Sequence, residues 1–236
     1  MITGDLAELI GIHIGDGCMS KNERYCEYYL GGDITEEKEY HNKWVGPLFN
    51  RLVALPILGK KVTYKEHPKV GVYGFYIFDK RIFDYFIGLG INYGSKINIS
   101  IPAEIKENKK LLSRFLRGLF DTDGSIYFDK NRSAKSPRND RPIIKLGTVS
   151  SELAKEVYNG LIFLGYHPRM KRPYKGKKDK NPVYTILIYR IGDIKRFIKD
   201  IGFKNPKHYT KWEIYKKMSF CVPRTTLQER KRLLEK

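Results

Sequence analysis

Long apolar runs are missing from this 236-residue chain. No window approaches the roughly 18 consecutive apolar residues that a helical membrane span needs, so no span is expected. Cysteine is scarce. Cys18, Cys26 and Cys221 are odd in number and not at zinc-ligand spacing, which excludes a disulfide framework and suits a reducing compartment. The first residues lack the basic start of a secretion signal and carry Asp5, Glu8 and Asp16 instead, so a cytoplasmic location without export is expected. Acid is in short supply, with 26 Asp+Glu against 45 Lys+Arg and a formal charge of +19. What is present argues against disorder despite that charge: 41% of residues are hydrophobic, with 17 Tyr and 12 Phe spread along the chain.

The positive charge is confined to one part of the sequence. Residues 1–105 hold 12 Lys+Arg and 13 Asp+Glu, so the whole excess, +20, lies in residues 106–236. Such a surface repels itself until a polyanion neutralises it, and inside a cell the usual polyanion is nucleic acid.

An internal repeat divides the chain almost where the charge does. Leu9-Ile-Gly-Ile-His-Ile-Gly-Asp16-Gly17 matches Leu116-Arg-Gly-Leu-Phe-Asp-Thr-Asp123-Gly124 at an offset of 107. Helix-like runs precede both motifs, Asp5 to Ile14 and Lys109 to Phe120, and each motif ends at a glycine suited to a left-handed helix terminus. Strand-like stretches follow, near Tyr25–Gly31 in the first copy and at Gly124–Phe128 and Pro142–Thr148 in the second. A Thr35 or Ser150 cap then opens an amphipathic helix, reaching Leu55 or Leu164. Lys60–Tyr64 with Val72–Phe78, and Pro168–Tyr174 with Val183–Tyr189, read as further strands before a last helix. The order αββαββα therefore occurs twice, an α+β architecture built by duplication. Halves 1–105 and 106–218 and a basic tail helix, 219–236, are the expected units.

Gly11 and Gly15 lie four apart on one helix face, and Gly118 and Thr122 do so on the other, so the two motif helices could approach closely. Asp16 and Asp123 would then meet at helix C-termini, where the dipoles are negative and the last carbonyls lack partners. A divalent cation is the natural remedy for two carboxylates forced together. Paired metal-binding carboxylates beside a basic surface suggest metal-assisted phosphodiester hydrolysis.

The paired motifs resemble the signatures of the LAGLIDADG homing endonucleases in their monomeric, two-motif form. Phe115-Leu-Arg-Gly-Leu-Phe-Asp-Thr-Asp-Gly-Ser125 is the closer copy. The resemblance implies two saddle-shaped antiparallel sheets whose concave face sits on the DNA major groove, with the motif helices at the interface between pseudo-twofold halves. It implies that Asp16 and Asp123 bind Mg²⁺, or another divalent ion such as Mn²⁺, with Gly15 and Thr122 beside them at the same site. Asp121 matches an earlier acidic position that is usually structural, where the first copy has Ile14. Lys96 resembles the family's catalytic lysine. Its counterpart is either Lys207 or His208. The chain carries no intein splicing blocks, so a freestanding or intron-encoded enzyme is expected.

Sequence recognition should lie in strands and hairpins. Lys130, Arg132, Lys135, Arg138 and Arg141 form one basic cluster, and Lys171, Arg172, Lys175, Lys177 and Lys178 another, with Lys145 on the strand between them. Ribbons of this kind enter the major groove, Arg reading guanine edges and Lys mostly reaching phosphates. The first half offers less, chiefly Lys21, Arg24, Lys61 and Lys65. The tail, from Ser219, reads equally as a packing helix or a flank-DNA contact. The expected function is site-specific double-strand cleavage of DNA by a monomer with a long, partly asymmetric target. An RNA maturase, with intron RNA as partner, and a nuclease-dead DNA-binding regulator are the alternatives, and retention of both aspartates favours the nuclease.

Overall fold

The computed structural model describes residues 1–130, 138–177 and 179–235. Helix α1, Gly4–Asp16, starts where the Thr3 hydroxyl accepts the Leu6 amide and runs directly into strand β1, Gly17–Lys21. Strand β2, Cys26–Asp33, follows, and then a continuous helical run, α2, over residues 38–58. In α2 ordinary turns alternate with wider π turns at His41–Val45 and Asn50–Ala54. Each π turn comes just before a proline, Pro47 or Pro56, which has no amide to donate and would press on the carbonyl four residues back. Strands β3, Lys65–His67, and β4, Val72–Ile77, and helix α3, Lys80–Gly88, complete the first set.

The second set repeats the order. Helix α4, Lys109–Thr122, is capped by Asn108. It is followed by β5, Gly124–Lys130, β6, Asn139–Thr148, and α5, Ser151–Phe163. Then come β7, Arg169–Tyr174, β8, Val183–Ile188, and α6, Ile191–Asp200. Both sheets are four-stranded and antiparallel with the same topology, β1-β2-β4-β3 and β5-β6-β8-β7. Two further helices, α7, Pro206–Met218, and α8, Leu227–Glu235, close the chain.

Strand alternation separates a core face from an open face in each sheet. Met19, Tyr28, Leu30, Phe75 and Ile77 pack inward from the first sheet, and Ile126, Phe128, Ile144, Leu146, Ile186 and Ile188 from the second. Both sets join one core around α1 and α4. No described helix is long and apolar enough to cross a membrane.

Several expectations need correction. Gly17 has φ −82°, and Gly124 is not among the glycines of positive φ, so neither is a left-handed helix terminus. They are glycines for space: a Cβ on Gly17 would strike the His13 ring and carbonyl, and one on Gly124 the Phe120 backbone. Thr35 does not cap α2, whose N-cap position is Glu37 without a side-chain cap; Asp33 ties the turn before the helix, its Oδ1 accepting from the Thr35 and Glu36 amides at 2.8 and 2.9 Å. The strand expected at 60–64 is displaced to Lys65–His67. Ser150 does cap its helix, accepting the Leu153 amide at 3.1 Å. Strand β1 is expected only through the repeated order, without bounds of its own, and helix α7 has no counterpart among the expected elements.

Candidate metal centre and nucleic-acid interface

The two motif helices touch backbone to backbone. A Cβ on Gly11 would fall on the Phe115 carbonyl, and one on Gly118 would fall on the Glu8 carbonyl. One on Gly15 would meet the Thr122 side chain, whose hydroxyl is tied to the Gly118 and Leu119 carbonyls at 3.0 and 3.1 Å. Fully buried Glu8 of α1 fixes the crossing from the far end. It pairs with Arg114 at 3.0 Å and Arg117 at 3.5 Å on α4 and accepts the Trp44 indole N–H at 2.6 Å.

This approach delivers both carboxylates to one place. Burial lifts the Asp16 carboxyl well above the usual carboxylate range; Glu37 and Asp123 add repulsion, while Lys207 and Lys96 oppose it. Asp16 Oδ2 is buried and has no hydrogen-bond partner among the described residues. Asp123 presents accessible area but is hemmed in by protein, and that desolvation raises its carboxyl too, with Lys96 and Lys207 pulling the other way.

The lysines meet the motifs in parallel fashion. Lys96, in a short 3₁₀ turn capped by Ser95, donates to the Gly15 carbonyl. Lys207 donates to the Thr122 carbonyl at 3.3 Å. Each ammonium therefore rests on the carbonyl just before a motif aspartate. His208 points elsewhere: it is buried, its Nε2 within 3.2 Å of the Asp121 carbonyl and its ring 4.9 Å from Phe203. Lys207 is the residue that reaches the site.

Asp121 is the reason Lys207 arrives there. Its carboxylate accepts the Lys204 amide at 3.0 Å and the Asn205 amide at 2.9 Å, although burial pushes its carboxyl up to about 7. Asn205 in turn caps α7 by accepting the Lys207 amide at 3.1 Å. Ile14, at the matching place in the first copy, is simply buried in the core. Sequence reasoning misses Asn205 and Glu37. Asn205-Pro206 is a legible signal, a cap followed by proline at the first helical position; Glu37 leaves none, because it meets the site only through the fold.

A divalent ion fits what is present. Asp16 carries an orphaned buried oxygen, and the Gly15 and Thr122 carbonyls already attract cations. Among the described residues no three His, Cys, Asp or Glu side chains form a closed cage. Mg²⁺ keeps several waters and takes one or two carboxylates plus substrate phosphate oxygens, so a two-carboxylate site matches its habits.

The open faces of the two sheets differ in charge. In the second, register places Ser125, Lys145, Leu187 and Arg169 in one row, with Lys171 opposite Thr185 and Arg141 opposite Asp129. In the first, the equivalent row is Cys18, Tyr29 and Tyr76, the two tyrosine rings 4.6 Å apart, and its neighbours are Ser20 with Glu27 and Lys65 beside Gly74. Lys21 ends β1, Arg24 lies in the β1–β2 turn and Lys61 precedes β3, all exposed. Lys130 ends β5, while Arg172, Lys175 and Lys177 belong to the exposed β7–β8 hairpin. Arg138 stacks on Phe220 at 5.5 Å. Arg132, Lys135 and Lys178 lie outside the described residues. The tail helix packs on the protein: buried Arg230 bonds Thr210 at 3.0 Å and Glu36 at 2.5 Å, and Lys231 pairs with Glu39.

Comparison with known proteins agrees with this geometry. Residues 110–202 match the LAGLIDADG-like domain. The chain resembles the replication factor C small subunit of Methanocaldococcus jannaschii, 25% identical over 88% of this chain and 10% of that protein. It spans between 10% and 21% of the length of the curated relatives it matches. Among solved structures, the homing endonuclease I-DmoI in complex with DNA and Mn superposes with a TM-score of 0.57 at 20% identity, covering 84% of this chain and 96% of that one. The homing endonuclease I-WcaI bound to its DNA recognition sequence superposes with a TM-score of 0.54 at 19% identity, covering 93% and 87%. Residues 110–202 thus carry a LAGLIDADG-like domain, and the chain as a whole, two motif helices joining paired antiparallel sheets, has the fold of the two-motif homing endonucleases I-DmoI and I-WcaI.

Proposed function

We propose that this protein is a site-specific endonuclease that makes a double-strand break in DNA by divalent-metal-dependent phosphodiester hydrolysis. The observation that carries the proposal is the meeting of Asp16 and Asp123 at two close-packed helix ends, each motif with a lysine on its preceding carbonyl. Asp16 and Asp123 would hold Mg²⁺ or Mn²⁺, with the Gly15 and Thr122 carbonyls beside them. When bound, the metal supplies an activated water and charge stabilisation for the leaving oxygen. Lys96 and Lys207 place positive charge where negative charge grows in the transition state. Arg141, Lys145, Arg169 and Lys171 present a basic strand face to the major groove, and the hairpin cations Arg172, Lys175 and Lys177 extend it. The tyrosine-rich face of the first sheet contributes fewer phosphate contacts, in keeping with a partly asymmetric target.

On this reading residues 1–105 and 106–218 are the two halves, 219–236 ties them together, and one chain supplies both halves of the site. Sedimentation should therefore show a monomer near 27.6 kDa in dilute solution; a stable dimer would contradict the reading. The function itself is tested by cleavage selection on a random-site duplex library in Mg²⁺. Recovery of one long, cut sequence is the expected result. Specific binding without cutting would favour a regulator, and splicing assistance without cutting a maturase.

A further inference from the structure

The two halves of the site are not chemically equal, and the difference lies in a carboxylate contributed across the interface. Glu37 stands at the N-cap position of α2 and Ser150 at the N-cap position of α5, the equivalent helix in the second half. Both reach over to the opposite half's lysine loop. The Ser150 hydroxyl donates to the Ile99 carbonyl at 2.8 Å, three residues beyond Lys96. Glu37 Oε1 accepts from Lys207 Nζ at 2.5 Å and from Asn205 Nδ2 at 2.9 Å, while its Oε2 accepts the Asp33 amide at 2.8 Å. Only one of these grips is ionic. Glu37 is 4% exposed, and Gly32 makes room for it, since a Cβ there would lie 2.5 Å from Oε2. Lys96, by contrast, makes no ion pair among the described residues; its ammonium donates to the Gly15 carbonyl.

We propose that Glu37 is a positioning residue that holds Lys207 on the Thr122 carbonyl, so that cutting of one DNA strand depends on Glu37 and cutting of the other does not. This rests on the nuclease reading above. A long lysine side chain held at one point is free to rotate; held between a buried carboxylate and a carbonyl, it is fixed where the second motif needs it. The first motif's lysine sits in its short capped turn without an ion pair among the described residues, and Glu37 reaches that motif only as one of the charges around Asp16.

The test labels each strand of the cleaved duplex separately. Glu37→Gln should slow one strand's cut by roughly a hundredfold, the order that a misplaced catalytic group costs, and leave the other near wild type, so that nicked DNA accumulates. Lys207→Met should bias the same strand, and the double variant should lose little more, because the two side chains act as one unit. Equal slowing of both strands, no change, or a bias opposite to that of Lys207→Met would overturn the proposal. A second readout needs no cleavage: the ¹⁵Nζ resonance of Lys207, identified by its loss in Lys207→Met, should move in Glu37→Gln while that of Lys96 stays. An unmoved Lys207 signal would also overturn it. Failure of the wild type to cut any DNA would overturn the nuclease reading itself, while the resonance still reports on the ion pair. Should Glu37→Gln fail to fold, Glu37→Asp keeps the charge one methylene short and should give the same bias in weaker form.

Discussion

Replacing Gly118 with alanine places a methyl group on the Glu8 carbonyl and 2.8 Å from the Ile12 amide nitrogen, both backbone atoms of the facing helix. Neither can rotate aside, so the helices must separate by about 1 Å, and overpacking of this kind costs roughly 1–3 kcal/mol. Alanine regains about 1 kcal/mol through its better helix propensity. Because the clash is with rigid backbone on a dry interface, the steric cost should sit at or above the top of its range, leaving a net loss of about 2 kcal/mol. For a chain of this size that lowers the melting temperature by roughly 4–8 °C. Gly88→Ala is the control: Gly88 ends α3 with nothing within 4 Å of a new Cβ, so the same change should be neutral or slightly stabilising. Calorimetry of the two variants side by side decides the matter. Equal melting temperatures would show that the motif helices do not meet as described, and with them the convergence of Asp16 and Asp123 would fall.

Two further outcomes follow from charge and burial. Replacing Lys145, Arg169 and Lys171 with Gln should flatten the slope of log affinity against log salt by roughly 0.9 for each phosphate that is no longer neutralised. Replacing Lys60, Lys61 and Lys65 should do less. Fluorescence anisotropy on one duplex compares them, and equal changes would place the charge asymmetry away from the proposed DNA-binding face. His41 is buried, and that burial, aided by Lys207 and opposed by Glu37, pushes its pKa down to about 4. An unfolded histidine titrates near 6.5, so stability present above that pH is lost as the pH falls toward 4, by about 3 kcal/mol. His41→Gln removes this dependence. The difference between wild-type and variant unfolding free energies, from urea titrations at pH 7 and pH 4, should shrink by that amount; a constant difference would contradict it.

Much of the architecture is legible because duplication makes each half a check on the other. The 107-residue offset aligns two motif helices, and the glycines at 11, 15 and 118 with Thr122 announce close packing before any contact is visible. Legibility fails where tertiary contacts overrule local signals. Thr35 has the chemistry of a cap, yet it lies in a turn ahead of the helix, where Asp33 accepts from its amide, and the N-cap position falls to Glu37. Gly17 and Gly124 match a helix-stop pattern, but they exist to avoid the preceding turn and not to turn left-handed. Lys207 and His208 are adjacent and both plausible in sequence; only the hydrogen bonds of Asp121 to residues 204 and 205 set the phase of α7 that points one into the site and the other into the core. Glu37 could not be singled out at all, since its partners lie 168 and 170 residues away.

The central claim is that two aspartates at paired helix ends hold the metal that cuts DNA. Asp16→Asn and Asp123→Asn test it most directly, each assayed for binding and for cleavage of the selected duplex in Mg²⁺. The account predicts that each variant binds the site with nearly wild-type affinity, since the basic strand faces are untouched, while double-strand cleavage is abolished. A variant that still cuts both strands at near the wild-type rate would contradict the claim for that aspartate.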